Sequence, residues 1–127
     1  GGAYNTINQS TITAQTFSNP YDFAVSLDGS SNTMTDCYAA HPSRQGLKFS
    51  GVGHRVSGTT VTSQNAGYPA VLFTGSSNTF VGGRISNPNG VAVRMDPSSR
   101  NSVIQSTVVA GSTIPSRTSA MRSCRPR

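Results

Sequence analysis

Four aspartates and no glutamate make up the carboxylate chemistry of this chain: Asp22, Asp28, Asp36 and Asp96. Two carboxylates about 5 Å apart, or about 6.5–9.5 Å apart, would suit glycosidic bond hydrolysis by a retaining or an inverting route. A tight acidic cluster would instead suit Ca²⁺, which takes about six to eight oxygen ligands. Acids spread from position 22 to position 96 supply no cluster of that kind, so no metal and no cofactor is expected. Cys37 and Cys124 show no CxxC or Cys/His spacing and read as free thiols, with Cys37 a small packed residue. Other side chains that could bind a ligand include His41, His54, the cations Arg44, Lys48 and Arg94, and the tyrosines Tyr21, Tyr38 and Tyr68.

What positions these side chains is a repeat. Asn5-Thr6-Ile7, Asn32-Thr33-Met34, His54-Arg55-Val56, Asn78-Thr79-Phe80 and Asn101-Ser102-Val103 begin at intervals of 27, 22, 24 and 23 residues. Five positions after each first apolar residue stands another small or apolar one: Ile12, Ala39, Val61, Ile85 and Val108. Ahead of the later steps come alternating pairs, Val25 and Leu27, Leu47 and Phe49, Val71 and Phe73, Val93 and Met95. Each pair follows a small residue: Ala24, Gly46, Ala70 or Ala92.

Alternation is the period of a strand, and self-similarity at this length marks a solenoid whose units bury their apolar faces against each other. Leu occurs only at 27, 47 and 72, while Ser, Thr, Gly, Val and Asn dominate. Those are strand and turn formers. The expectation is an all-β, right-handed parallel β-helix of about five coils of 22–27 residues, with repeats over 1–112 and a basic tail over 113–127. The abrupt start at Gly1-Gly2-Ala3, with no amphipathic capping helix, leads us to expect a segment of a longer protein or one protomer of an assembly that covers its edges.

Charge adds little. The net is +6, but Arg117, Arg122, Arg125 and Arg127 lie in the tail, and the body holds six cations against its four aspartates. The tail reads as a solvated terminus rather than a grip on nucleic acid, because no aromatic is interleaved with arginine as single-strand grooves require. No apolar run approaches the length that spans a bilayer, so neither membrane nor nucleic acid is an expected partner.

The Ser-Ser-Asn steps (Ser30-Ser31-Asn32, Ser76-Ser77-Asn78) and the coil length resemble the right-handed parallel β-helix superfamily of pectate-lyase-like proteins, over residues 5 to about 110. Within it, the Ser/Thr/Gly/Asn richness resembles bacteriophage tailspikes and related virion adhesins. That resemblance implies a homotrimer, in a virion tail or otherwise extracellular, which binds and often cleaves bacterial surface polysaccharide. A stalk is the plainer version of the same reading. The alternative is a fragment of a secreted polysaccharide lyase, epimerase or hydrolase whose catalytic residues lie mostly outside this chain.

The repeat also places the candidates. Coil alignment sets Asp28, Ser50, Thr74 and Asp96 in one column, so Asp28 and Asp96 stand three coils apart, about 14 Å. That is too far for either hydrolytic route within one chain, and the catalytic residues stay unknown. The asparagine column is expected to form a ladder of amides, with His54 as a substitute member. The outward column Ser26, Lys48, Leu72, Arg94 puts two cations two coils apart, about 10 Å. Thr11, Thr13, Thr60 and Thr62 form a broken Thr-x-Thr pattern that exposed β-branched strand residues explain. Extra length around Phe17–Phe23, at His41–Gln45 and at Gln64–Tyr68 is expected to form loops on one side. There Tyr21, Tyr38 and Tyr68 would offer flat platforms for sugars, and Asp22, His41 and Arg44 polar partners. His41, in the loose segment Ala40-His41-Pro42-Ser43-Arg44, is expected to be exposed.

Overall fold

The structure is a computed structural model that describes residues 2–14, 23–95 and 100–111. Those residues form strands and turns with no helix. The chain winds through three strands per coil. The first coil holds β1 (Thr6–Asn8), β2 (Thr11–Thr13) and β3 (Phe23–Leu27). The second holds β4 (Thr33–Thr35), β5 (Tyr38–His41) and β6 (Gln45–Phe49). The third holds β7 (Arg55–Ser57), β8 (Thr60–Ser63) and β9 (Val71–Phe73), and the fourth β10 (Thr79–Val81), β11 (Arg84–Asn87) and β12 (Val93–Met95). A fifth contributes β13 (Ser102–Ile104) and β14 (Thr107–Ala110).

Equivalent strands stack in parallel register into three sheets. Sheet I is β1-β4-β7-β10-β13, sheet II is β2-β5-β8-β11-β14, and sheet III is β3-β6-β9-β12. The three-residue step of the sequence is therefore sheet I itself, where Ile7, Met34, Val56, Phe80 and Val103 pair in line and face inward. Ile12, Ala39, Val61, Ile85 and Val108 form the inward line of sheet II. Sheet III sends two lines inward, Val25–Leu47–Val71–Val93 and Leu27–Phe49–Phe73–Met95.

These lines make one continuous core. Within it the rings of Phe49 and Phe73 stack face to face, with centroids 4.3 Å apart and planes 3° from parallel. The small column has a steric cause. A side chain at Gly46 would run into Val61 and approach the carbonyl of Ala70, and Ala70 and Ala92 are fully buried at the same corner. Bulk there would displace the inward line of sheet II.

Two corners turn by one device. The residue before each of the first four Asn or His steps has a left-handed backbone: Tyr4 (φ 58°), Ser31 (φ 54°), Gly53 (φ 74°) and Ser77 (φ 58°). Five residues after each ladder position a second polar column stands at the corner between sheets I and II: Ser10, Cys37, Thr59, Gly83 and Ser106. It too follows left-handed residues, namely Gln9, Asp36, Gly58, Gly82 and Gln105. Reversing direction in so few residues requires that conformation, which polar turn residues tolerate better than β-branched ones.

Candidate functional site

Both polar columns are structural. The asparagine ladder is real: Asn5 Nδ2 donates to Asn32 Oδ1 at 3.0 Å, amide to amide, and the other bonds of the column run from side chain to backbone. Asn32 Oδ1 accepts from Asn5 N at 2.8 Å, Asn78 Oδ1 from His54 N at 2.8 Å, and Asn101 Oδ1 from Asn78 N at 2.9 Å. The Nδ2 groups of Asn32, Asn78 and Asn101 donate to the carbonyls of Gly2, Gly51 and Gly75. Asn32, Asn78 and Asn101 thus each satisfy main-chain groups of the coil before them.

In the second column, Thr59 Oγ1 accepts from Cys37 N at 3.3 Å and donates to Ser57 O at 3.0 Å. Ser106 Oγ does the same for Gly83 N and Ile104 O. Cys37 is a free, buried thiol whose Sγ lies 3.2 Å from Thr35 O, standing where other coils place a hydroxyl. The sequence carried this column as a fixed offset of five residues from each ladder position, and its mixture of Ser, Cys, Thr and Gly concealed it.

The corner between sheets II and III is different, because there the chain spreads into loops. Each loop starts from a buried polar residue. His41 Nδ1 accepts from the backbone N–H groups of Ser43 and Arg44. Ser63 Oγ donates to Arg44 O and accepts from Asn65 N. The amide nitrogen of Asn87 is shared among the carbonyls of Asn65, Tyr68 and Val91, and its oxygen accepts from Asn89 N. Further bonds tie the loops to each other: Asn65 Nδ2 donates to Ser43 O and Asn89 Nδ2 to Gln64 O. The result is a stack of three loops, after β5, β8 and β11, held by side-chain amides and hydroxyls.

This corrects one expectation. His41 is fully buried rather than exposed. Proline at position 42 and the tight turn after it aim its ring nitrogen at two backbone donors, so His41 builds the loop instead of projecting from it. The third loop, Pro88–Val91, was not expected; of the three that were, those at His41–Gln45 and Gln64–Tyr68 are present, and the one around Phe17–Phe23 lies outside the described residues except for Phe23.

The stack brings two candidates together. The Arg44 guanidinium lies over the Tyr68 ring, 5.5 Å from its centroid. Such a pair holds a cation and a flat apolar surface side by side. Just beyond the corner, Lys48 Nζ lies 5.1 Å from the centroid of the Phe23 ring. The expected outward column of sheet III is present in register, Ser26–Lys48–Leu72–Arg94. Tyr38 is set apart. It opens β5 at the far end from the loops, on the outer face of sheet II, 39% exposed, with its hydroxyl 3.4 Å from Thr62 Oγ1. Tyr21, Asp22, Asp96 and the basic tail lie outside the described residues.

Asp28 lines a cavity of about 140 Å³ that the sequence did not suggest, between Asn5, Ile7, Ser26, Asn32 and Thr33. Ser26 Oγ donates to its carboxylate at 3.2 Å. The column through Asp28, Ser50 and Thr74 is as expected: Ser50 N donates to Leu27 O and Thr74 N to Phe49 O. Asp36 sits at the other end of sheet I, on the turn after β4. Among the described residues, then, no second carboxylate shares the cavity with Asp28, and no three His, Cys, Asp or Glu side chains gather as metal ligands.

The three-sided parallel solenoid and its ladder corners define a protein class. The family model for the right handed beta helix region matches residues 1–120, and the chain belongs to that family. No curated protein matches the chain, and no solved structure matches it. Among the described residues no helix is long and apolar enough to cross a membrane.

Proposed function

We propose that this chain is a β-helix module of a virion adhesin, of the tailspike kind, which recognises polysaccharide on a bacterial surface. The observation that carries this reading is the loop stack at the corner of sheets II and III. It is a pre-organised surface on which Tyr68 and Arg44 stand together. Carbohydrate recognition calls for that combination, since a sugar presents an apolar C–H face to an aromatic ring and hydroxyls to polar groups beside it. Pre-organisation matters because a binding site already held by internal hydrogen bonds loses little conformational entropy on association. In this reading the module acts within a homotrimer or a larger virion protein, and the solenoid is the rigid support that carries the loops.

Light-scattering size exclusion of capsule and O-antigen polysaccharides, before and after overnight incubation with the protein, tests the proposal. Co-elution of protein with glycan of unchanged mass is the expected result. A fall in polymer mass would replace the binding module with a depolymerase and direct attention to acids supplied by a neighbouring chain. Neither effect across a broad panel would leave a stalk, and the proposal would fail.

A further inference from the structure

Sheet III carries a cationic line along the solenoid axis, and we infer that it selects an anionic polysaccharide, laid parallel to that axis across Lys48, Leu72 and Arg94. The inference rests on the proposed glycan-binding role and specifies the charge and direction of the ligand. Three observations support it. First, register fixes the geometry: Lys48 pairs with Leu72, and Leu72 with Arg94, so the two cations stand two strand spacings apart on one outer face. At about 4.8 Å per spacing this is about 10 Å, comparable with the length of a disaccharide.

Second, the cations are available. Arg94 is exposed and Lys48 half-buried, and among the described residues neither pairs with a carboxylate. Lys48 is anchored over the Phe23 ring instead, which fixes its direction while leaving its charge unneutralised. Third, the residue between them is apolar. Leu72 offers a half-buried hydrocarbon surface to the C–H face of a sugar ring, so the line alternates charge, apolar contact, charge. That pattern matches a polymer that presents a carboxylate at least at every second sugar, as a polyuronate does. Arg44 stands at the loop corner four residues before Lys48, over the Tyr68 ring.

Other exposed arginines do not form such a line. Arg55 and Arg84 stand on sheets I and II respectively, each between hydroxyl-bearing neighbours in its column. They serve as internal controls. Nucleic acid is also polyanionic, but its phosphates are denser than the carboxylates of such a polymer, and the flat apolar step at Leu72 suits a sugar ring.

The test uses the full chain in affinity electrophoresis through gels containing a polyuronate, neutral dextran, or duplex DNA. Retardation by polyuronate at low salt is expected, weakened at higher ionic strength as screening shortens the reach of exposed charges. Lys48→Gln and Arg94→Gln should each weaken it about fivefold, as for an exposed charge pair at the upper end of the usual range. Their combination should weaken it further, and Arg55→Gln and Arg84→Gln should leave it unchanged. Arg94 is exposed, so its variant keeps the test valid even if Lys48→Gln disturbs packing over Phe23. Equal losses from the control variants would overturn the inference, as would retardation by DNA stronger than by polyuronate. Retardation by dextran that the Lys48 and Arg94 variants do not change would preserve glycan recognition and refute the anionic line. No retardation in any polysaccharide gel would refute the glycan-binding role itself.

Discussion

His54 accepts a hydrogen bond from Asn32 N–H through Nδ1 at 3.1 Å, and thereby takes the place that asparagine holds in the neighbouring coils. Its other nitrogen completes the likeness. With Nδ1 occupied as an acceptor, the ring proton sits on Nε2, which faces Ser50 O at 3.3 Å, much as the Asn78 amide donates to Gly51 O. Histidine in this tautomer is a spaced-out amide, one acceptor and one donor on the same edge.

The equivalence is testable by substitution. His54→Asn keeps an acceptor and a donor and should change stability by less than about 1 kcal/mol. His54→Leu removes the acceptor and leaves a buried N–H at Asn32 without a partner, which costs about 1–3 kcal/mol. Urea unfolding followed by circular dichroism measures both. Equal loss from Asn and Leu would mean that the imidazole acts by packing and not by its lone pair.

The same reasoning applies at the second column. Thr59 is fully buried and its hydroxyl serves Cys37 N–H and Ser57 O at once. Thr59→Val keeps the shape and removes both bonds, so a loss of about 1–3 kcal/mol is expected. Thr59→Ser keeps the hydroxyl and should recover most of it. Valine and serine variants of equal stability would show that the hydroxyl contributes nothing at this corner.

Most of the architecture was legible because the physics that makes the repeat also writes it. Inward lines such as Ile7–Met34–Val56–Phe80–Val103 must be apolar in every coil, and corners must repeat to keep the strands in register. His41 shows where that legibility stops. A histidine followed by proline, serine and arginine looks like exposed loop, and only the folded turn reveals two backbone donors converging on one buried nitrogen. The loop stack was hidden for a related reason. Its bonds join residues about one coil apart, such as Asn87 to Asn65, and their side chains have no common type to mark a column. Lys48 and Arg94 were placed correctly because the strand register alone determines them. Tyr38 was grouped with the loops by sequence proximity, although a strand of four residues separates the two ends of β5.

A glycine column at the corner between sheets III and I gives a sharper test of backbone packing. Gly51 has φ 125°, and a Cβ there would meet the carbonyl of Gly29 in the coil before it, well inside contact distance. Gly82 also has a left-handed backbone, φ 65°, yet a Cβ there would meet nothing. Gly82→Ala should cost only the conformational strain of a left-handed residue, about 1–2 kcal/mol. Gly51→Ala adds a clash between main chains that no rotamer can relieve, so its loss should be clearly larger. Thermal melts of the two variants compare them directly. Similar losses would mean that the coils can separate locally at this corner.

Tyr68 tests the site in a way that the scaffold does not. Its carbonyl is held by Asn87 whatever its side chain is, so the loop keeps its anchor when the ring is changed. Tyr68→Phe preserves the face beneath the Arg44 guanidinium and should bind glycan about as well as the parent. Tyr68→Ala removes both the platform and the partner that positions Arg44, and glycan binding should weaken about tenfold, as for a loss near 1.4 kcal/mol. Hydrogen exchange of the loop amides separates the causes. If Asn65 and Gly67 keep their protection while binding falls, the ring itself contacts sugar. If protection falls together with binding, the ring holds the loop in place, and the contact surface must be sought along Lys48 and Arg94 instead.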